Sequence, residues 1–217
     1  MATALTIADF IEPLPTIATG DPVLDALIGR IESNQDREAS EALAAHTNAG
    51  PALVARLEQV AASLHDVDSA SQAEAVVYQA VHVDMTNRCG RIQALSLSIA
   101  AQITPAGEAV LLRIFEEHPS RDARYFVGLA LGPVASPATL ARMARAMDDL
   151  EPTRVWVRDV GTEAAVRLDP ATAFDRLAAR FEPELALPSS YFARGLFAAV
   201  AACPPIDPRW YPFFARF

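Results

Sequence analysis

The segment Ser63-Leu64-His65-Asp66-Val67-Asp68, with His46 upstream, sets an imidazole beside a carboxylate at the end of an apolar helical run. Both groups ligate divalent metals, and a metal held there would activate water. The same residues also read as a helix C-terminus, where His65 meets the negative end of the macrodipole. His82 near Asp84, and His118 between Glu116-Glu117 and Pro119, likewise stand at expected helix ends. Cys89 and Cys203 are widely separated, form no CxxC pair and suit small core positions. No Gly-rich phosphate loop, GxSxG elbow or paired Cys-His arrangement occurs, so no cofactor is expected.

The elements that would position these residues are helices. The chain has 217 residues, 52% of them hydrophobic with Ala dominant, and few β-branched or aromatic runs that would favour strands. A capping or small residue followed by Pro recurs at Asp21-Pro22, Gly50-Pro51, Thr104-Pro105, Ser136-Pro137, Asp169-Pro170 and Asp207-Pro208. An Asp, Ser or Thr side chain accepts from a first-turn amide, and Pro at the next position has no amide to leave unpaired. Ser71 with Glu74 forms a capping box. Apolar stripes of helical period run through Leu53, Leu57, Val60 and Leu64, through Ile92, Leu95, Ile99 and Ile103, through Leu140, Met143 and Met147, and through Phe174, Leu177 and Phe181.

These signals predict helices near 22–33, 36–47, 51–65, 72–83, 88–103, 106–117, 121–132, 137–148, 153–168, 170–181, 189–202 and 208–215. Short links between them favour antiparallel hairpins. A period in the thirties supports this: Gly128 and Gly161 are 33 apart, as are Pro137-Ala138-Thr139 and Pro170-Ala171-Thr172, and Gly195 follows Gly161 by 34.

The segments Asp122-Ala123-Arg124 to Asp148-Asp149 and Val157-Arg158-Asp159 to Asp169-Pro170 resemble HEAT-like repeats, mainly over 105–205. The resemblance implies an all-α, right-handed solenoid of about six antiparallel hairpins that binds macromolecules, usually proteins. On this basis 1–217 is one repeat domain, with an N-terminal extension over 1–20 and an aromatic cap over 206–217. Two further resemblances imply enzymes. The His-Asp pair resembles HD-type metal phosphohydrolases, with His46, His65 and Asp66 as matching ligands, although the His46–His65 spacing is short for that family, Asp68 replaces the usual Gly, and no Asp matching the family's distal ligand follows. HEAT-like DNA glycosylases would cast Arg154, Trp156, Arg158 and Asp159 at a lesion. Here Val155, Trp156, Val157 and Val160 read as a buried face, with Arg154, Arg158 and Asp159 on its solvated side. The repeated His-Glu dipeptides of HEAT-like deoxyhypusine hydroxylase do not occur.

Charge bears on partners. Eighteen basic residues, all Arg, stand against 27 acidic ones, a net of −9, the wrong sign for displacing counterions from nucleic acid. A basic protein suits the chain better. No run of about 18 apolar residues suggests a membrane span, and the first twenty residues, with Asp9 and Glu12, do not read as a secretory signal, so a cytoplasmic location is expected.

From Tyr191 onward the chain holds half of its aromatics, which serve either as a hydrophobic cap or as a docking surface. The expectation is a non-catalytic scaffold or adaptor, including an inhibitor or immunity-type protein that covers a basic partner. Candidate contacts are Arg142, Arg145, Asp148, Asp149, Arg176, Arg180 and Trp210. The oligomeric state is left open.

Overall fold

Capped starts and apolar stripes translate into a chain whose regular elements are all helical among the described residues. The computed structural model describes residues 11–34, 36–64, 75–148, 155–181 and 190–215. Its helices are α1 Pro22–Asn34, α2 Arg37–Ala44, α3 Ala49–Ala62, α4 Ala75–Ala101, α5 Pro105–Glu117, α6 Arg121–Leu131, α7 Pro137–Met143, α8 Val155–Leu168, α9 Ala173–Phe181, α10 Ser190–Ala201 and α11 Trp210–Phe214, with a 3-10 helix at Ala144–Asp148. The chain divides into two compact units, Met1–Leu131 and Gly132–Phe217.

Asp21 Oδ1 accepts from the amides of Val23 at 2.9 Å and Leu24 at 3.3 Å, so it caps α1. Thr104 and Ser136 cap α5 and α7 by accepting from the Gly107 and Thr139 amides. Gly50-Pro51 departs from expectation: α3 starts at Ala49, which puts Pro51 in the first turn, where a missing amide costs no helical bond. Asp169 and Asp207 close turns instead. Their side chains accept from the amides of Thr172 and Arg209, and α9 and α11 begin one residue later. The Ser71–Glu74 box lies outside the described residues.

The largest departure is α4. Residues 84–87, expected to be a link, continue one 27-residue helix. Asp84 reaches forward to Arg88 across one turn, Thr86 donates to the His82 carbonyl, and Val81, Met85, Cys89 and Ile92 keep a buried face unbroken. Tertiary burial here overrides the weak helix propensity of Asp, Thr and Asn.

In the first unit, the stripe Leu53, Leu57, Val60 and Leu64 is buried as the period demands, and α3 packs on α4 through it. Full burial of a Leu side chain contributes about 1.5–3 kcal/mol. Ile92, Leu95 and Ile99 bury the second half of α4, which packs against α6, while Ile103 lies beyond the helix end.

The second unit is organised around α8, which is covered on two sides. Val157, Val160 and Ala164 are buried on one side, and Asp159, Thr162 and Val166 on another. This corrects the expected α8 face: Trp156 is exposed, and Asp159 is buried rather than solvated, because α7 with its 3-10 continuation and α10 both pack on this helix. Gly161 permits the first contact. A Cβ there would lie 2.5 Å from the Met147 amide nitrogen and 2.8 Å from the Ala146 carbonyl carbon. The helix expected over 137–148 tightens into 3-10 form at Ala144, where it crosses this glycine, and Leu140, Met143 and Met147 remain buried.

Candidate partner-binding site

Glu32 near the end of α1, Arg56 in α3 and Arg88 and Arg91 in α4 converge beneath the extended segment that precedes α1. The Glu32, Arg56 and Arg88 side chains are only 2%, 5% and 3% exposed. Arg56 holds Glu32 in a bidentate pair, Nε to Oε1 at 2.5 Å and Nη2 to Oε2 at 3.1 Å. Arg91 adds a bond to Glu32 at 2.8 Å. Arg88 pairs with Asp84 at 2.5 Å. Burial is tolerated because each charge meets an opposite charge in good geometry.

Both buried arginines have donors left over, and these reach main-chain oxygens. Arg56 Nη1 donates to the Pro15 carbonyl at 2.6 Å, and Arg88 Nη2 to the Glu12 carbonyl at 2.6 Å. Arg88 Nη1 also donates to the Ser63 carbonyl at the end of α3, at 3.1 Å. The segment Ile11-Glu12-Pro13-Leu14-Pro15-Thr16-Ile17 therefore lies as a strap over this unit. Along it Ile11, Leu14 and Ile17 are half-buried while the residues between them are exposed. A period of three, with two prolines, is that of an extended polyproline-type segment. Glu12 and Pro15 are also three apart, so their carbonyls fall on one side. The Pro-x-Pro pair and the apolar triplet were present in the sequence, but no feature of the sequence forecast the arginines.

The outward side of α4 is the other unusual surface. Val76, Val83 and Leu97 are 75%, 48% and 48% exposed and lie at seven-residue spacing, with Gly90 at the intermediate position. A Cβ at Gly90 would meet nothing within 4 Å, so the chain's own packing does not require glycine there. Ala80 and Gln79 flank Val83 and Val76 in a shallow cleft that also includes Asp84 and Asn87. A helix with one buried apolar face and a second, exposed apolar stripe at heptad spacing has the pattern of a helix packed on both sides.

The candidate contacts inferred from sequence fall in the second unit. Arg142, Arg145 and Asp148 share the exposed side of α7 and its 3-10 continuation. Arg176 is exposed on α9, near enough to Asp169 to help hold that carboxyl below its ordinary range, chiefly set by the Thr172 hydroxyl. Asp149 and the Arg180 side chain lie outside the described residues. Trp210 is buried at 2% exposure, packed edge-on against Phe174 at 5.0 Å and stacked with Phe214 at 5.4 Å. Arg209 lies 4.5 Å above the Phe174 ring and bonds Asp175 and Asp207. Tyr211 and Phe197 remain exposed.

The histidines serve helix ends and a helix surface. His46 Nε2 lies 3.1 Å from the Asp21 carboxylate, and this pairing with the α1 cap engages one of the three ligands implied by the metal resemblance. His65 and Asp66 lie outside the described residues, as does Arg154 of the glycosylase set. Among the described residues no group of three His, Cys, Asp or Glu side chains is placed to hold a metal ion. His82 is exposed within α4, stacked on Tyr78, not at a helix end. His118 caps α5 but turns inward rather than standing in solvent. Its Nδ1 accepts from the Ser120 amide at 3.0 Å, which leaves Nε2–H to donate to the Ala61 carbonyl of α3 at 2.9 Å. Burial, with Arg124 nearby, holds its pKa below the ordinary 6.5. Cys89 is buried in the core, and its thiol is pushed up to about 12 by that burial and by Asp122.

No helix among the described residues is long and apolar enough to cross a membrane. The chain matches no protein family model, no curated protein and no solved structure.

Proposed function

We propose that the chain is a non-catalytic protein-binding scaffold or adaptor built from HEAT-like helical hairpins, and that the outward face of α4 receives an amphipathic helix of its partner. The observation that carries this is the stripe Val76, Val83, Gly90 and Leu97: exposed apolar residues at heptad spacing, with a glycine no internal contact requires. Bare backbone at Gly90 lets a partner helix approach closely, and the valines and Leu97 supply apolar area at the contact. The hairpin reading is supported by the pairing of successive helices, α1 with α2, α3 with α4 and α5 with α6 in the first unit, and α7 with α8 in the second. The net charge of −9 favours a basic partner, as an inhibitor or immunity-type protein would have.

The test is recovery of the partner from the native host, followed by calorimetric titration of the purified pair. Val76→Glu with Val83→Glu should weaken binding at least tenfold while leaving the melting temperature within a few degrees of the parent. Unchanged affinity would remove α4 from the interface. A purified chain that carries a stoichiometric divalent ion and hydrolyses phosphoesters would overturn the non-catalytic assignment.

A further inference from the structure

We infer that the groove beneath residues 11–17 is a second binding site, distinct from the outward face of α4, for an extended Pro-containing segment of a partner protein, and that the strap occupies it in cis as a competitor. The strap shows what the groove recognises. Two buried guanidiniums, Arg56 and Arg88, donate to main-chain carbonyls three residues apart, each at 2.6 Å. Main-chain carbonyls are common to every sequence, so this grip specifies an extended backbone rather than particular side chains. Specificity comes from the half-buried positions Ile11, Leu14 and Ile17, which ask for apolar residues every third position.

The donors are built independently of their occupant. Arg56 is fixed by Glu32 and Gln59, and Arg88 by Asp84 and the Ser63 carbonyl. Removal of the strap would leave both cations paired and still aimed into the groove. Between its three apolar anchors the strap is open to solvent. Glu12, Pro13, Pro15 and Thr16 are exposed, and clefts of about 440 and 470 Å³ open along it, both bordered by Ile17 and Arg56. A segment that fills neither flank can be displaced by one that fits better, and tethering gives it a high effective concentration that a partner's segment must overcome.

The experiment uses the full chain and a fluorescein-labelled peptide with the sequence of residues 9–19. Leu14→Asn with Ile17→Asn should free the groove without offering its arginines a new carboxylate. The labelled peptide, followed by anisotropy, should bind this variant at least tenfold more tightly than the parent chain, and a peptide with Asn in place of Leu14 should bind neither. Far-UV circular dichroism checks that the variant is folded. A second measurement leaves the groove contacts intact: a dye on Thr16→Cys, in a Cys203→Ser background, should gain mobility when excess unlabelled peptide is added. Equal peptide affinity for parent and variant, or a dye that stays immobile, would make the strap a permanent part of the fold and overturn the proposal. A parent chain that runs as a dimer and is split by the peptide would assign the groove to strap exchange between two copies and would likewise overturn it.

Discussion

The first unit seals its helix ends with buried polar side chains, whereas the second closes around rings and bare backbone. In the first, Arg88 bonds the carbonyl of Ser63, which caps α3, His118 bonds Ala61 in the same turn, and Arg124 bonds the Phe115 carbonyl near the end of α5 at 2.6 Å. Each bonds a carbonyl at a helix terminus, where regular intrahelical partners run out. In the second, Trp210, Phe213 and Phe214 pack on Phe174 and Phe197, and Gly161 brings α8 against the 3-10 helix. The sharpest losses should accordingly follow from removing a charge partner at Glu32 in the first unit and from changing volume at Trp210 or Gly161 in the second.

The largest effects should therefore come from opposite substitutions in the two units. Arg56→Leu leaves Glu32 buried with Arg91 alone and should cost about 3–5 kcal/mol, measured by urea unfolding. Trp210→Ala should cost a similar ~3–5 kcal/mol, here through a cavity, so that a smaller loss on Trp210→Phe than on Trp210→Ala would separate volume from polarity. A loss of under 1 kcal/mol for Arg56→Leu would mean that the buried cluster does not hold the first unit together.

Two glycines sharpen the comparison at intermediate size. Gly161→Ala drives a methyl group into backbone atoms of residues 146 and 147 and should destabilise by about 2 kcal/mol, after allowance for the better helix propensity of Ala. Gly90→Ala meets nothing and should stabilise the chain by up to ~1 kcal/mol, as read from thermal melts, while weakening partner binding.

The smallest effect is a pH dependence. Folding lowers the pKa of His118, chiefly through burial, so the unfolded chain binds more protons at acidic pH. His118 accordingly contributes stability above its ordinary value of 6.5, and that contribution fades as pH falls below it. Protonation would also place a hydrogen on Nδ1, which now accepts from the Ser120 amide. Replacement by Gln should flatten the stability profile between pH 7 and pH 5, and a profile unchanged from the parent would remove His118 from that role.

How much of this was legible follows from which signals are local. Capping is local chemistry, so Asp21, Thr104 and Ser136 start helices as their types and neighbours predict. The α3 stripe is equally local and is buried as expected. The continuity of α4 was not legible, because Asp84, Thr86 and Asn87 read as a break until tertiary burial of Val81, Met85 and Ile92 is taken into account. Its exposed stripe was present as Val76, Val83, Gly90 and Leu97 at spacing seven, but it runs across the residues that read as a break. The arginine groove depends on contacts across 41 and 76 residues of chain, which no local pattern carries. Trp210 stood out by composition alone, and its type does not distinguish a buried anchor from an exposed one.

The proposed role of α4 is to dock a partner on its outward face. Photo-crosslinking in the native host, with benzoylphenylalanine at position 83 in one strain and at position 211 in another, tests it most directly, since both positions are exposed and they belong to different units. A discrete adduct with a basic protein is expected from position 83 and none from position 211. An adduct from position 211 with none from position 83 would contradict it.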